Sequence, residues 1–261
     1  MPQFHSIVLT GATGGIGRAL AIALATEGRH LLLMGRDAGR MESVAEAVRN
    51  RGAAITCALC SVTDRKAMAT HIAAFDAAHP VDLLIVNAGV TVGPDPDGAR
   101  EPEGAATALI DTNLSSAIDV VEMLLDPMIT RRRGRIALVS SLAALRPHGD
   151  LLSYSASKAG LRAYGVALGS RLRRFGVGVT VISPGFVTSP MSARHDGPKP
   201  MEMSADQAAR RIVAGLRAGR SRIAFPLPIV LLSRIANLLP PSLSDRIERT
   251  FAARIRPEDG G

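Results

Sequence analysis

Cysteine, tryptophan and lysine are scarce in this chain of 261 residues, which holds two, none and three of them. Two cysteines cannot build a disulfide framework, and the Cys57-Ala58-Leu59-Cys60 spacing has no second ligand pair with which to hold a metal. They belong to an apolar, strand-like stretch, so they read as structural and no metal site is expected. Long apolar runs are missing too: none reaches the ~18–20 residues that a membrane span requires. Met1-Pro2-Gln3-Phe4-His5 leads straight into the first strand without the charged and apolar regions of a secretory leader. These shortages predict a cytoplasmic protein. The want of tryptophan excludes little, because a hydrophobic content of 47% still suffices for a large buried sheet. Lysine occurs only at Lys66, Lys158 and Lys199, so the formal charge of +8 is carried almost wholly by arginine. The arginines are spread along the chain apart from Arg131-Arg132-Arg133-Gly134-Arg135, and no zinc, helix-turn-helix or aromatic-basic pattern accompanies them. No nucleic-acid partner is expected, although a basic surface suits an anionic substrate or a membrane.

What is present is an alternation. Strand-like runs at 6–9, 30–34, 54–59, 83–87, 135–140, 177–183 and 222–225 are separated by helical stretches near 15–27, 39–51, 64–78, 104–131, 153–175 and 204–218. That order predicts an α/β fold: a doubly wound parallel sheet of about seven strands with helices on both faces. No repeat, linker or low-complexity tract divides the chain, so residues 1–261 read as a single domain. Ligands of such sheets bind beyond the carboxyl ends of the strands. The irregular, polar segments 87–104 and 188–200 lie at two such ends.

Two motifs carry chemistry. The first strand runs into Thr10-Gly11-Ala12-Thr13-Gly14-Gly15-Ile16-Gly17 and then into an apolar helical repeat. Glycines there permit a tight turn and close approach of the backbone to a pyrophosphate, and the helix offers its free N–H groups to the anion. Further on, Tyr154 and Lys158 are four residues apart. On one helix face the ammonium lies beside the phenol, favours phenolate and lowers a phenol pKa that is otherwise near ~10.

The glycine turn, Asn87-Ala88-Gly89, Asn113, Ser141, the Tyr154/Lys158 pair and Pro184-Gly185, in this order and spacing, resemble the short-chain dehydrogenase/reductase family in its compact, single-domain branch. The resemblance covers roughly residues 5–190. It implies a Rossmann-type sheet and hydride transfer between a nicotinamide and a secondary alcohol or ketone. In the roles it implies, Ser141 hydrogen-bonds the substrate carbonyl and Tyr154 is the general acid/base. Lys158 binds the nicotinamide ribose and tunes Tyr154, while Asn113 kinks a helix and holds a water leading to Lys158. Ser140 is turned away by strand alternation. The resemblance gives the cofactor Thr10, Gly11, Thr13, Gly14, Gly15, Ile16 and Gly17 at the phosphates, and Ser61 and Val62 at the adenine. Asn87, Ala88 and Gly89 pack under the adenosine ribose. Pro184, Gly185, Val187 and Thr188 close over the nicotinamide, where Tyr154 and Lys158 also contact the cofactor.

Cofactor choice is read at the end of the second strand, Met34-Gly35-Arg36-Asp37. An acid there accepts from the ribose hydroxyls of NAD and repels a 2′-phosphate; Gly35 and Arg36 instead favour NADP(H), with NAD(H) second. Ser61 stands where relatives usually carry Asp, which weakens the grip on adenine. His148 and Asp150, between Ser141 and Tyr154, read as exposed loop residues rather than pocket lining.

Past the lid region at about 188–218 comes a C-terminal helical extension, residues 226–256. Its first part, 227–239, is apolar except for Ser233, Arg234 and Asn237. A second helical pattern follows with Leu243, Ile247, Phe251 and Ile255 at i+4 spacing. Packing against the core or another subunit is the favoured expectation, with peripheral membrane contact through 227–256 as the sharper one. The chain is thus expected to be an NADP(H)-preferring oxidoreductase of a hydrophobic or lipid-like ketone or alcohol. The alternatives are a reductase of 3-oxoacyl thioesters or sugar carbonyls, a redox sensor that binds NADP(H) without turnover, and an epimerase, for which the chain has little room. A homodimer or homotetramer is implied by the resemblance alone.

Overall fold

Continuous apolar runs, rather than alternating ones, build the centre of the molecule, because its strands are covered on both faces. The computed structural model describes residues 4–94, 98, 100–237 and 254–256. The first half of the chain runs β1 (Ser6–Thr10), α1 (Gly15–Leu24), β2 (His30–Gly35), α2 (Ala38–Arg49), β3 (Ala54–Leu59), α3 (Arg65–Ala78) and β4 (Leu83–Val86). The second runs α4 (Ala105–Ile110), α5 (Ser116–Arg131), β5 (Gly134–Val139), α6 (Leu152–Leu172), β6 (Val177–Pro184), α7 (Pro190–Ala193), β7 (His195–Asp196), α8 (Ala205–Arg217), β8 (Arg222–Phe225), α9 (Leu227–Ala236) and β9 (Arg254–Ile255).

Seven strands form one parallel sheet in the order β3-β2-β1-β4-β5-β6-β8. The order reverses between β1 and β4, and that switch opens a crevice at the carboxyl edge. Alternate residues feed two cores. Leu9, Leu31, Leu33 and Ile85 pack on one face with Leu20 of α1 and Ile212 and Leu216 of α8. Val8, Leu32, Leu84 and Leu138 pack on the other with Met68 and Ile72 of α3, Val121 and Leu124 of α5 and Leu161 of α6. Each of these side chains is fully buried or nearly so, worth ~1.5–3 kcal/mol apiece by removal from water. One register slip would send every one to the wrong face.

Two departures from the expected elements matter for the site. The single helix expected over 104–131 is interrupted by a π-helical turn at Asp111–Ser115, where Asn113 is buried. The extra residue in that turn lets the Asn113 side chain reach the Val90 backbone. The second departure corrects the C-terminal reading. Ile255, expected as the last apolar position of a helix, lies in β9 and pairs antiparallel with His195 of β7. Ladder bonds and packing against Gly93 hold it there: the Arg256 N–H donates to the Arg194 carbonyl at 2.8 Å, and a Cβ added to Gly93 would fall 2.8 Å from that of Ile255. Leu243, Ile247 and Phe251 lie outside the described residues. Among the described residues no helix is long and apolar enough to cross a membrane.

Candidate active site

The glycine turn is shaped by backbone contacts that leave no room for side chains. Gly11 has φ +66°, and a Cβ placed on Gly17 would meet the Gly11 carbonyl oxygen at 2.0 Å. Thr10 Oγ1 accepts from the N–H groups of Asn87 at 3.1 Å and Ala88 at 3.2 Å. Asn87 Nδ2 returns bonds to the Thr10 and Gly11 carbonyls at 3.2 and 3.0 Å. This lattice ties the end of β4 to the turn. Gly14 caps α1 without a side-chain hydrogen bond, and no acid occupies the first turn. The first N–H groups of α1 are therefore open to an anion.

Around the far end of the crevice stand Gly35, Arg36, Asp37, Arg40, Ser61 and Val62. A side chain at Gly35 would press on Thr13, 3.0 Å away. The Asp37 carboxylate is already engaged: it accepts from the Arg40 N–H at 2.8 Å as the cap of α2 and pairs with Arg40 Nε at 3.2 Å. Ser61 Oγ shares a hydrogen bond with Thr63 Oγ1 at 2.8 Å. Arg40 is a lining residue that sequence reasoning missed, although a second arginine one helical turn past Arg36 was a readable signal.

Near the middle of the crevice the polar groups converge. Ser141 follows β5 and Tyr154 opens α6, and both line the crevice. Lys158, one turn along α6, is buried with Nζ 5.8 Å from the centre of the Tyr154 ring and donates to the Val139 carbonyl at 3.0 Å. Ser140 faces the other way and donates to the Lys158 carbonyl at 2.8 Å. Asn113 Oδ1 accepts from the Val90 N–H at 2.8 Å; its Nδ2 donates to the Val90 carbonyl at 2.9 Å and to Ser157 Oγ at 3.2 Å. Ser157 in turn donates to the Tyr154 carbonyl at 2.8 Å, a link that no sequence motif announced.

Burial governs the electrostatics here. It pushes Lys158 down to about 8 and pushes the Tyr154 phenol up, offset in part by the Ser141 hydroxyl. In the cofactor-free chain desolvation thus acts on Tyr154 in the sense opposite to the expected effect of Lys158. Loss of water disfavours the phenolate, while the Lys158 ammonium is held on a backbone carbonyl.

The crevice continues as a cleft of about 1430 Å³ from Arg36 to α9. Its outer part is walled by Leu142, Phe186, Ile229, Leu232, Ser233, Ala236 and Ile255. His148 lines it and is half-buried, against the exposed-loop expectation, with Nδ1 3.4 Å from Asp150 Oδ2. Asp150 is likewise half-buried. His195 also faces the cleft, stacked obliquely on Phe186 at 4.7 Å; its buried Nε2 has no hydrogen-bond partner among the described residues. Burial pushes its pKa down, which favours the neutral ring. Four candidate residues stand behind the lining rather than in it. Thr10 and Gly17 shape the turn, Asn113 is held on Val90, and the Thr188 hydroxyl is turned to the Met203 carbonyl at 3.4 Å.

The short-chain dehydrogenase family model matches residues 5–199, and the chain belongs to that family. It is an NAD(P)-dependent oxidoreductase on a Rossmann-type sheet, and the open helix end and the glycine cradle fit a nicotinamide dinucleotide. A Myxococcus xanthus protein described as an uncharacterized oxidoreductase is 34% identical over 248 residues, 95% of this chain and 97% of that one. A putative ketoacyl reductase of the granaticin polyketide synthase from Streptomyces violaceoruber is 33% identical over 190 residues, 72% of this chain and 69% of its own. Among solved structures, a metagenomic short-chain oxidoreductase in complex with NADP superposes with a TM-score of 0.71 at 28% identity, covering 85% of this chain and 96% of that one. Levodione reductase, at 21% identity and a TM-score of 0.75 over 84% of this chain and 95% of its own, shares the fold.

Proposed function

We propose that the protein is an NADP(H)-preferring reductase of a hydrophobic ketone, working through Ser141, Tyr154, Lys158 and Asn113. The observation that carries this reading is the convergence of Ser141 and Tyr154 beside a buried Lys158, midway along a cleft with arginines at one end and an apolar wall at the other. The first N–H groups of α1 would hold the pyrophosphate, and Arg36 and Arg40 the 2′-phosphate. Gly35 offers no carboxylate at that place, and the charge of the neighbouring Asp37 is offset by its pairing with Arg40, which leaves Arg36 to favour the phosphate. NADPH held there would supply the hydride for the carbonyl carbon. The negative charge that develops on the carbonyl oxygen is met by the Ser141 and Tyr154 hydroxyls, and Tyr154 gives up its proton to that oxygen. Tyr154 is suited to donate because burial keeps it protonated. The Lys158 ammonium steadies the phenolate that remains, and the Asn113–Ser157–Tyr154 chain fixes the pitch of α6 beneath it. His195, its Nε2 unpartnered among the described residues, offers an acceptor to a substrate donor group in the pocket.

A 3-oxoacyl thioester is the second substrate reading. It is supported by the granaticin relative and by the very-long-chain 3-oxoacyl-CoA reductase of Aspergillus clavatus, which is 30% identical over 73% of this chain and 56% of its own. An oligomer, as is usual in the family, and a peripheral membrane contact through 227–256 belong to the same reading. The test is oxidation of NADPH or NADH with ketones of increasing chain length and with 3-oxoacyl thioesters. Tyr154→Phe should lower turnover by about 10²–10⁴-fold with NADPH affinity nearly intact. An undiminished rate would remove Tyr154 from the mechanism; tight NADPH binding without turnover on any carbonyl would favour the sensor.

A further inference from the structure

Helix α9 has two apolar faces. Val230, Ser233 and Ala236 turn inward and are buried, and Ile229, Leu232, Ser233 and Ala236 wall the outer cleft. On the other side Leu227, Leu231 and Ile235 follow one another at i, i+4 and i+8, 70%, 60% and 50% exposed, with Leu232 beside them at 46%. Half of the large hydrophobic residues exposed among the described residues thus fall on this one helix of ten. A stripe of that kind does not gain from facing water.

The surroundings of the stripe are basic. Arg234 is exposed on α9 itself. Next to its first turn lies a depression bordered by Met201, Gln207, Arg210, Arg211 and Pro226, in which Met201 is a further exposed hydrophobic at 53%. Arg210, Arg211 and Arg234 enter no ion pair among the described residues. Glu202, the acid on that rim, accepts from Ser192 Oγ at 2.6 Å. An apolar stripe framed by arginines is complementary to a surface with an anionic layer over a hydrocarbon interior.

We infer that the outer face of α9 docks the protein on an anionic lipid bilayer, so that a lipid ketone enters the cleft past the same helix whose inner face forms its wall. The inference rests on the hydrophobic-ketone reading and narrows its membrane contact to one docking face, a lipid charge and a route of entry. The helix lies in the interface and does not span: ten residues cover ~15 Å, half a hydrocarbon core.

The experiment sediments the full-length protein with sucrose-loaded vesicles of phosphatidylcholine, with and without phosphatidylglycerol. NADPH oxidation with a short, water-soluble ketone is followed in parallel. Wild type should bind the phosphatidylglycerol vesicles at least tenfold better than the neutral ones. Leu231→Glu/Ile235→Glu should abolish binding and leave the short-ketone rate unchanged, since neither residue lines the cleft. Arg210→Gln/Arg211→Gln/Arg234→Gln should weaken binding to the anionic vesicles alone, by about fivefold for each arginine that meets the headgroups. Wild-type protein left in the supernatant of both vesicle types overturns the inference, as does undiminished binding of the Leu231→Glu/Ile235→Glu variant. A wild-type dimer that the same variant converts to a monomer in size-exclusion chromatography also overturns it, because a second copy then covers the face. Binding as expected without ketone turnover would instead fail the reductase reading and leave the docking face standing.

Discussion

The two ends of the cleft are built by different means. At the dinucleotide end the backbone makes the site: glycines, one asparagine and the mouth of a helix, with contacts so close that a single Cβ would collide. At the substrate end side chains make it, drawn from α7, β7, α9 and β9 and packed as ordinary apolar surface. A backbone-made site tolerates few residue types and therefore leaves a motif. A side-chain-made site accepts any side chains of suitable size and leaves almost none, which also frees it to change substrate while the cofactor stays the same.

Gly17→Ala gives the sharpest test of that contrast. Its methyl must displace the Gly11 carbonyl from 2.0 Å, so the turn opens or α1 shifts. We expect NADPH affinity to fall by at least about 100-fold and the melting temperature to drop by roughly 5–10 °C, as overpacking by a few kcal/mol implies. Gly14→Ala is the internal control. A methyl there first meets the same oxygen at 3.5 Å, an ordinary contact, and should move the melting temperature by less than about 2 °C. Isothermal titration and thermal unfolding of both variants decide it. Equal behaviour of the two would mean that backbone crowding does not make this end of the site.

The same contrast explains what could be read from the chain. The seven strands of the sheet match seven strand-like runs, most plainly at β1, β2, β4, β5 and β6, where burial on both faces selects apolar residues directly. Ser141, Tyr154, Lys158 and Asn113 come together because each stands at a strand end or on one helix face, positions that local spacing fixes. Ile255 was misread as helical because its place depends on Gly93 and His195, remote in sequence, and i+4 spacing cannot foresee a strand partner. His148 was misread as an exposed loop residue, since what covers a loop is set by distant segments. The effect of desolvation on Tyr154 is illegible in the sequence for a related reason. Spacing places a cation beside the phenol, but only the packed structure shows how much water is lost from around both.

At the adenosine end the contrast takes a milder form, because arginine side chains there add to a backbone-made cradle. Arg36→Ala and Arg40→Ala should each weaken NADPH by about 10–100-fold, the range of a lost charge-assisted hydrogen bond, and leave NADH within about twofold. Fluorescence titration with both nucleotides reads the difference. Parallel losses for NADPH and NADH would mean that these arginines serve the fold or the shared part of the cofactor, and that the preference lies elsewhere.

The smallest expected effect concerns Lys158, whose charge is buried where β4, β5 and α6 meet. Burial lowers its pKa from 10.5 to about 8, so between those values the unfolded chain holds a proton that the folded chain has released. Raising the pH through that window therefore favours the folded state, and the contribution is absent below about 8, where both forms are charged. Tyr154 works in the opposite sense above its ordinary 10, since the folded state keeps the phenol proton, which limits the clean window to pH 8–10. Cys57 and Cys60, pushed up by burial, also oppose the trend, but equally in any Lys158 variant. Urea unfolding of the cofactor-free protein should then show a stability slope more positive in wild type than in Lys158→Met, by up to about 1.4 kcal/mol per pH unit. Identical slopes would mean that Lys158 keeps its water when the cofactor is absent, and that this end of the cleft is looser than its crowded glycines imply.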